Sequence, residues 1–168
     1  GYRSRKRSRS VMNDRYYEDY EVGEVIRAAG VTITEADILD FAFRYDPQPF
    51  HLDKAAAEAS IYKGLIASRW QTGLLGFRML LQAGLLGKGS MGSPGLDELR
   101  WYLPVRPGDT LYGRASIEGK RESQSKPDRG IVKMKYWIEN QKGETVMSFY
   151  GNQLVKKRTG SSAKRDEV

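Results

Sequence analysis

The chain has 168 residues, of which 39% are hydrophobic and 29% are charged, a composition typical of one soluble domain with a single core. It contains no cysteine, which excludes disulfide bonds and thiolate metal sites. The net charge of +7 comes from the two ends, because residues 1–10 carry +5 and residues 156–168 carry +3.

Both basic ends are polar and lack hydrophobic periodicity, which is typical of disordered, solvated segments. We therefore expect tails at 1–14 and 157–168 around one domain at 15–156. The alternative for Arg3 to Arg9 is a nucleic-acid-binding arm, but no nucleic-acid-binding signature accompanies it, so we expect no such partner. No apolar run follows the basic start, so we see no secretory signal and expect a cytoplasmic protein.

The first half of the domain is predicted to be a strand followed by helices. β-Branched residues favour a strand over 25–34, and Thr34 with Asp37 forms a capping box that begins a helix. The apolar face of that helix comprises Ile38, Leu39, Phe41, Ala42 and Tyr45. Two prolines then break the helix, so we expect a rigid, extended turn over 46–51 before an alanine-rich helix at 53–60.

The most apolar stretch, residues 65–86, is predicted to be one long, largely buried helix. Arg69 and Arg78 interrupt it, and charges are costly at the centre of a bilayer, so we expect no membrane span. Gly73 and Gly76 would allow a sheet or a second copy of the chain to approach this helix closely.

After Gly95 the hydrophobic period changes to two, which predicts four successive strands. Residues 118–130 are predicted to be a polar loop and residues 140–143 a hairpin turn. Helices followed by strands predict an α+β fold in which a five-stranded antiparallel sheet covers the long helix. Pairing of the sheet edges between chains would hide them, so we expect a homodimer or a larger homo-oligomer.

His51, the one histidine of the chain, stands five residues after Asp46 in the proline-rich segment. A carboxylate and an imidazole held together by stiff backbone can share proton transfer, which favours an acid/base pair. The alternative is that Asp46 caps a turn and His51 caps the following helix. The spacing alone leaves these two interpretations about even.

Ser68, Arg69 and Trp70 are expected to lie at the start of the long helix, where free backbone N–H groups favour an oxyanion or a polarised carbonyl. We therefore take them as candidate substrate-binding residues. Ser68 lacks the Gly-x-Ser-x-Gly frame of a nucleophile. No Asp/Glu cluster has metal-ligand spacing, and the Gly-x-Gly-x-x-Gly letters at 87–92 follow a helix instead of a strand, so we expect no metal and no nucleotide cofactor.

The segment Asp-Pro-Gln-Pro-Phe-His-Leu-Asp at 46–53 resembles the D-x-N/Q-P-x-H-x-D signature of MaoC-like dehydratases and (R)-specific enoyl-CoA hydratases. Residues 64–68 resemble the start of the central helix in that family, and residues 99–109 resemble the strand and turn that follow it. The resemblance covers residues 16–155. It implies a hot-dog fold, in which the sheet wraps around the central helix.

The resemblance also implies that Asp46 and His51 activate a water for reversible hydration of a 2-enoyl-CoA to an (R)-3-hydroxyacyl-CoA. A backbone N–H at the start of the central helix would hold the thioester oxygen, and the site would lie at a dimer interface. Coenzyme A would be part of the substrate, and no other cofactor would be needed. Arg69 stands where many members have glycine, and it could narrow the pocket, bind a second substrate carboxylate, contact coenzyme A phosphates or face solvent.

Three other functions are weighed against the hydratase. A hot-dog thioesterase would release free thiol from acyl-CoA. A non-catalytic hot-dog module, which Arg69 favours, would bind acyl-CoA without converting it. Nucleic-acid binding through the tails would be sensitive to salt.

Overall fold

The computed structural model describes residues 12–159, so the basic run at 3–9 and the last nine residues lie outside the described part. A short 3-10 helix at Tyr17–Asp19 comes before the regular elements. In chain order these are β1 (Val25–Arg27), β2 (Val31–Thr32), α1 (Glu35–Tyr45), α2 (Pro49–Leu52), α3 (Lys54–Ala59), α4 (Arg69–Gln82), β3 (Leu96–Trp101), β4 (Thr110–Glu122), β5 (Arg129–Glu139) and β6 (Thr145–Lys156).

One antiparallel sheet contains all the strands, in the order β1-β4-β5-β6-β3, and β2 also pairs with β4. The predicted count of five strands becomes six, because the region expected to be one strand at 25–34 is two. Arg27 pairs with Arg114, and Val31 pairs with Leu111. The chain advances four positions between these pairs while β4 advances three, so one extra residue interrupts the first strand. A side chain at Gly30 would meet the ring of Tyr112 at 2.6 Å, so the chain passes over that ring at a glycine.

The helix α4 lies against the inner face of the sheet, where alternate residues of β4 and β5 and most residues of β6 are buried. The contact is close at Gly76, where an added Cβ would lie 2.4 Å from the side chain of Ile138. Met79 and Leu80 are buried on the same face of the helix. The α+β class and the antiparallel sheet around a central helix, as in the hot-dog fold, are thus confirmed.

Two predicted boundaries are wrong. The region 118–130 is mostly strand, since β4 runs to Glu122 and pairs there with Gly130. No side chain of β4 is buried after Ile117, so both faces of this end are polar and the sequence resembles a loop. The long helix begins at Arg69 and ends at Gln82, whereas residues 65–68 form a buried, non-helical approach to it.

One face of α4 is exposed in the protomer, although the sequence predicts a helix buried on most sides. Trp70 and Leu74 are 58% and 59% exposed, and Leu81 is also exposed. The edge strand β3 has exposed Leu96. Over residues 12–159, no helix is both long enough and apolar enough to span a bilayer.

Candidate active site

Asp46 lies where α1 ends. The capping box predicted at Thr34 and Asp37 begins the helix, and the Asp46 N–H closes it by donating to the Ala42 carbonyl at 3.0 Å. Pro47 follows and disfavours helical backbone at Asp46, whose φ and ψ of −149° and 69° lie outside the helical region. The helix start and the proline thus fix where this carboxylate leaves the backbone. Of the residues on the predicted apolar face, Ile38 and Ala42 are buried, but Tyr45 is exposed.

His51 lies in the four-residue helix α2, so the prediction of an extended turn over 46–51 is wrong in its second half. Pro49 occupies the first turn of α2, where a proline is tolerated because its missing N–H would have no helical partner. The His51 N–H donates to the Gln48 carbonyl at 3.0 Å. The side chain of His51 is buried. The prolines therefore stiffen the segment as expected, but partly as a helical turn.

The imidazole of His51 is held on both nitrogens. Nδ1 lies 2.7 Å from the backbone carbonyl oxygen of Ile66, and Nε2 lies 3.2 Å from Oδ2 of Asp46. A carbonyl oxygen can only accept, so Nδ1 carries a proton in every state of the ring. Nε2, the other ring nitrogen, faces the carboxylate.

The carboxylate of Asp46 accepts two further hydrogen bonds. Ser68 Oγ donates to Oδ2 at 2.7 Å, and Gln48 Nε2 donates to Oδ1 at 2.7 Å. Burial alone would raise the pKa of this carboxyl, but the hydrogen bonds from Gln48 and Ser68 and the charge of His51 together lower it below its ordinary value. Asp46 therefore remains ionised at neutral pH while 15% of its side chain is exposed.

Ser68 is the N-cap residue of α4, but its side chain does not cap the helix. The hydroxyl turns instead to Asp46, and the residue is fully buried. The first N–H groups of any α-helix lack helical partners, so those that follow Ser68 are donors beside the Asp46–His51 pair. The prediction that Ser68 lies at the start of the helix is confirmed, and its place there is the N-cap.

The other two residues predicted at this helix start, Arg69 and Trp70, have exposed side chains in the protomer. The backbone carbonyl of Arg69 accepts a hydrogen bond from Trp101 Nε1 at 3.0 Å, and the ring of Trp70 packs edge-on against Trp101 at 5.3 Å. Trp101 thereby fixes the first turn of α4 to the edge strand β3. The structure brings Asp46, His51 and Ser68 into direct contact. Arg69 and Trp70 form the first turn of α4 after Ser68, and their side chains are exposed.

A groove of about 620 Å³ lies between α1 and α4. One face of α1, from Asp37 to Tyr45, forms one wall, and one face of α4, from Gln71 to Arg78, forms the second. Residues 31–33 close the groove. Asp46, His51 and Ser68 are not among the residues that line this groove, although their chain neighbours Tyr45 and Gln71 are. A smaller, apolar cavity of about 220 Å³ lies between α4 and the sheet.

Gln48 and the Ile66 carbonyl fix the two members of the pair. Gln48 is the N/Q position of the signature quoted above, to which we assigned no role from the sequence. The Ile66 carbonyl, 15 residues away from His51, leaves no signal in the sequence. Within residues 12–159, no three His, Cys, Asp or Glu side chains cluster as metal ligands.

Comparison with known proteins places the chain in a family. The MaoC like domain matches residues 19–136. The MaoC-like dehydratase structure from Rhodospirillum rubrum is 39% identical, with a TM-score of 0.79 over 85% of this chain and 97% of that one. The R-hydratase PhaJ1 from Pseudomonas aeruginosa is 28% identical, with a TM-score of 0.70 over 85% and 86% of the two chains.

A curated relative is longer than this chain. The mesaconyl-CoA hydratase of Cereibacter sphaeroides is 29% identical over 147 residues, which are 86% of this chain and 42% of that protein. The chain therefore spans less than half the length of that relative.

Proposed function

The chain belongs to the MaoC-like dehydratase family, and on that premise we propose that it is a hydro-lyase that reversibly hydrates a 2-enoyl-CoA to an (R)-3-hydroxyacyl-CoA. The observation that carries the proposal is the meeting of an ionised carboxylate with a nitrogen of a buried imidazole, Asp46 Oδ2 and His51 Nε2, at 3.2 Å. The hydrogen bonds from Ser68 and Gln48 hold the carboxylate in place.

The pair can divide the addition of water between its members. Asp46 accepts a hydrogen bond from the water and orients it, and His51 Nε2 takes a proton as the water oxygen bonds to C3 of the enoyl group. The same proton then passes from Nε2 to C2, so the hydroxyl and the hydrogen that are added both come from one water. The negative charge of Asp46 stabilises the imidazolium that exists between these two transfers.

The start of α4 supplies the other part of the mechanism. Addition at C3 moves negative charge onto the thioester oxygen, and backbone N–H groups at a helix start stabilise such an oxyanion. We assign this role to the N–H groups of the segment Ser68, Arg69 and Trp70. Because water provides every atom that is added, the mechanism uses no cofactor besides the coenzyme A of the substrate. The exposed guanidinium of Arg69 is available to an anionic part of the substrate.

We also propose that the protein acts as a homodimer. The exposed apolar face of α4, with Trp70 and Leu74, continues to the edge strand β3 and its exposed Leu96. A monomer would leave this apolar surface and an unpaired strand edge in water. A second copy of the chain would cover both.

The test follows the enoyl absorbance of crotonyl-CoA mixed with the protein. We expect absorbance to fall to an equilibrium value, and we expect Asp46→Asn and His51→Gln each to abolish the change. The matched control is Gln124→Ala, which changes an exposed residue in the connection between β4 and β5. Undiminished turnover in both site variants would overturn the assignment, and release of free thiol would indicate a thioesterase instead.

A further inference from the structure

The outer face of the sheet carries a line in which cations alternate with aromatic rings. The Nζ atom of Lys133 lies 4.8 Å from the ring centre of Tyr150. The Nζ atom of Lys135 lies 5.0 Å from the same ring centre and 4.8 Å from that of Trp137. The guanidinium of Arg114 lies 4.0 Å from the ring centre of Trp137. We call these five residues the cation–ring line.

The strand pairing fixes this line on one face of the sheet. Arg114 on β4 is directly opposite Trp137 on β5, and Lys135 on β5 is directly opposite Tyr150 on β6. On β5 the side chains of the line alternate with buried ones on the face toward α4, which are Val132, Met134, Tyr136 and Ile138. The proposed homodimer would use α4 and the edge of β3, so it leaves the outer face open. No local sequence pattern indicates the line, because its members come from three strands.

The outer face also has an excess of positive charge. Of the carboxylates on it, Glu139 pairs with Arg114, and Asp97 and Glu118 bond to neutral side chains. Cations outnumber them, and those of the face without an ion pair in the described part of the chain are Arg27, Arg100, Arg121, Lys133, Lys135 and Lys156. Residues 11–155 as a whole carry −1 once the two basic ends are set aside, so this excess is local to the face.

Single-stranded nucleic acid has the chemistry that this line matches. It repeats a phosphate and a base along its length, and proteins bind it with basic groups on the phosphates and aromatic rings on the bases. An open antiparallel sheet that displays rings is one known platform for it. The contact between an exposed ammonium and a ring is weak, so Lys133 or Lys135 can leave its ring for a phosphate while a base stacks in its place.

Other polyanions match the face less well. An acidic polypeptide would pair with the cations but offers no repeated ring to stack on Trp137 and Tyr150. A bilayer is flat and a DNA duplex is straight, whereas neighbouring strands of a sheet are rotated by about 20–25°. Cations on different strands therefore point in diverging directions. A flexible single strand can follow that twist.

We propose that the outer face of the sheet binds single-stranded nucleic acid through the cation–ring line. Lys133, Lys135 and the surrounding arginines bind phosphates, and the rings of Trp137 and Tyr150 stack on bases. The face is opposite the one that packs on α4, so this binding does not depend on the proposed hydratase function.

The first test measures binding of a fluorescently labelled oligo-dT strand to the full chain by anisotropy over a range of salt concentrations. Binding should weaken as salt rises, because each phosphate contact releases counterions. The double variant Lys133→Gln/Lys135→Gln should bind more weakly and reduce the slope of log K against log salt by about 1.4, since each phosphate contact with a single strand contributes about 0.7.

The matched control is Lys63→Gln/Lys142→Gln, which removes the same charge from two exposed lysines in turns. It should keep the wild-type slope. An equal reduction in both double variants would mean that net charge alone attracts the strand, and it would overturn the proposal. No reduction in Lys133→Gln/Lys135→Gln would also overturn it, because the basic run at 3–9 would then carry the binding.

The second test separates the rings from the charges. Tyr150→Leu should weaken oligo-dT binding by about tenfold at an unchanged salt slope, and Tyr150→Phe, which keeps a ring, should bind like wild type. Thermal unfolding of both variants shows whether the fold is kept. If Tyr150→Leu does not fold, Lys133→Gln/Lys135→Gln still decides the question. Equal affinities of folded Tyr150→Leu and Tyr150→Phe would contradict stacking.

The third test compares ligands. Oligo-dT should bind more tightly than either a DNA duplex or poly-L-glutamate of the same charge. Equal or tighter binding of poly-L-glutamate would assign the face to an acidic polypeptide and overturn the proposal. Failure of oligo-dT to bind at low salt would overturn it as well.

Discussion

Ser68 Oγ donates a hydrogen bond to Asp46 Oδ2 at 2.7 Å, although the two residues are 22 positions apart. The bond joins the end of α1 to the start of α4. It thereby places the carboxylate beside the free N–H groups of α4, and the same oxygen faces His51 Nε2. The proposed proton transfer and the proposed oxyanion site are held at one point by this contact.

Ser68→Ala should weaken the site without dismantling it. The loss of one donor to a carboxylate is expected to lower kcat by roughly tenfold. It should also raise the pKa of the Asp46 carboxyl, since the Ser68 hydrogen bond is one of the causes that lower it. A carbon-13 NMR titration of the carboxyl carbon measures that shift. An unchanged Asp46 pKa in Ser68→Ala would contradict the role assigned to this hydroxyl.

Asp46 should contribute to stability in a pH-dependent way. Its pKa is lowered in the folded chain, so its contribution is complete above the ordinary carboxyl pKa and is lost as the pH falls through the folded value. Denaturant unfolding of wild type and Asp46→Asn should therefore differ more at pH 7 than at pH 3. The same comparison for Asp97→Asn, an exposed residue on β3, should show a smaller change. A difference for Asp46→Asn that grows toward pH 3 would refute this assignment.

Gly76→Ala should destabilise the protein by about 1–3 kcal/mol, because overpacking a core shifts its neighbours. The added Cβ would meet the Ile138 side chain at 2.4 Å. Thermal or denaturant unfolding measures the loss, and the second change Ile138→Ala should relieve the clash, so the two effects should not add. Gly119→Ala is the control, since its nearest neighbour would lie 4.0 Å away. Equal effects of both glycine variants would contradict the packing argument.

Leu74→Lys should break the proposed homodimer. It places a charge on the exposed apolar face of α4, where the second copy is expected to pack. Sedimentation velocity should show a dimer for wild type and a monomer for the variant. Phe43→Lys makes a similar change at an even more exposed apolar residue on α1 and should leave the dimer intact. A monomeric wild-type protein would rule out the dimer.

The predictions that succeeded depend on local signals. The Thr34–Asp37 capping box, the alanine-rich α3 and the hairpin turn at 140–143 are each specified by residues within a few positions of one another. The prolines around Asp46 also act locally. Alternation of apolar and polar residues is also a local signal, and it indicated the strands after Gly95. The end of β4 after Ile117 was missed because neither of its faces is buried, so its residues do not alternate.

The sequence by itself determined that Asp46 and His51 stand in one stiff segment, and that Ser68 lies at the start of the central helix. The tertiary structure alone decided what these groups touch. The Ile66 carbonyl fixes the proton on Nδ1 of His51, Ser68 turns from its own helix to Asp46, and the buried Gln71 Oε1 has no hydrogen-bond partner among residues 12–159. Backbone preferences act over a few residues and can be read along a chain. Hydrogen bonds between distant residues depend on how whole elements pack, and no local pattern encodes them.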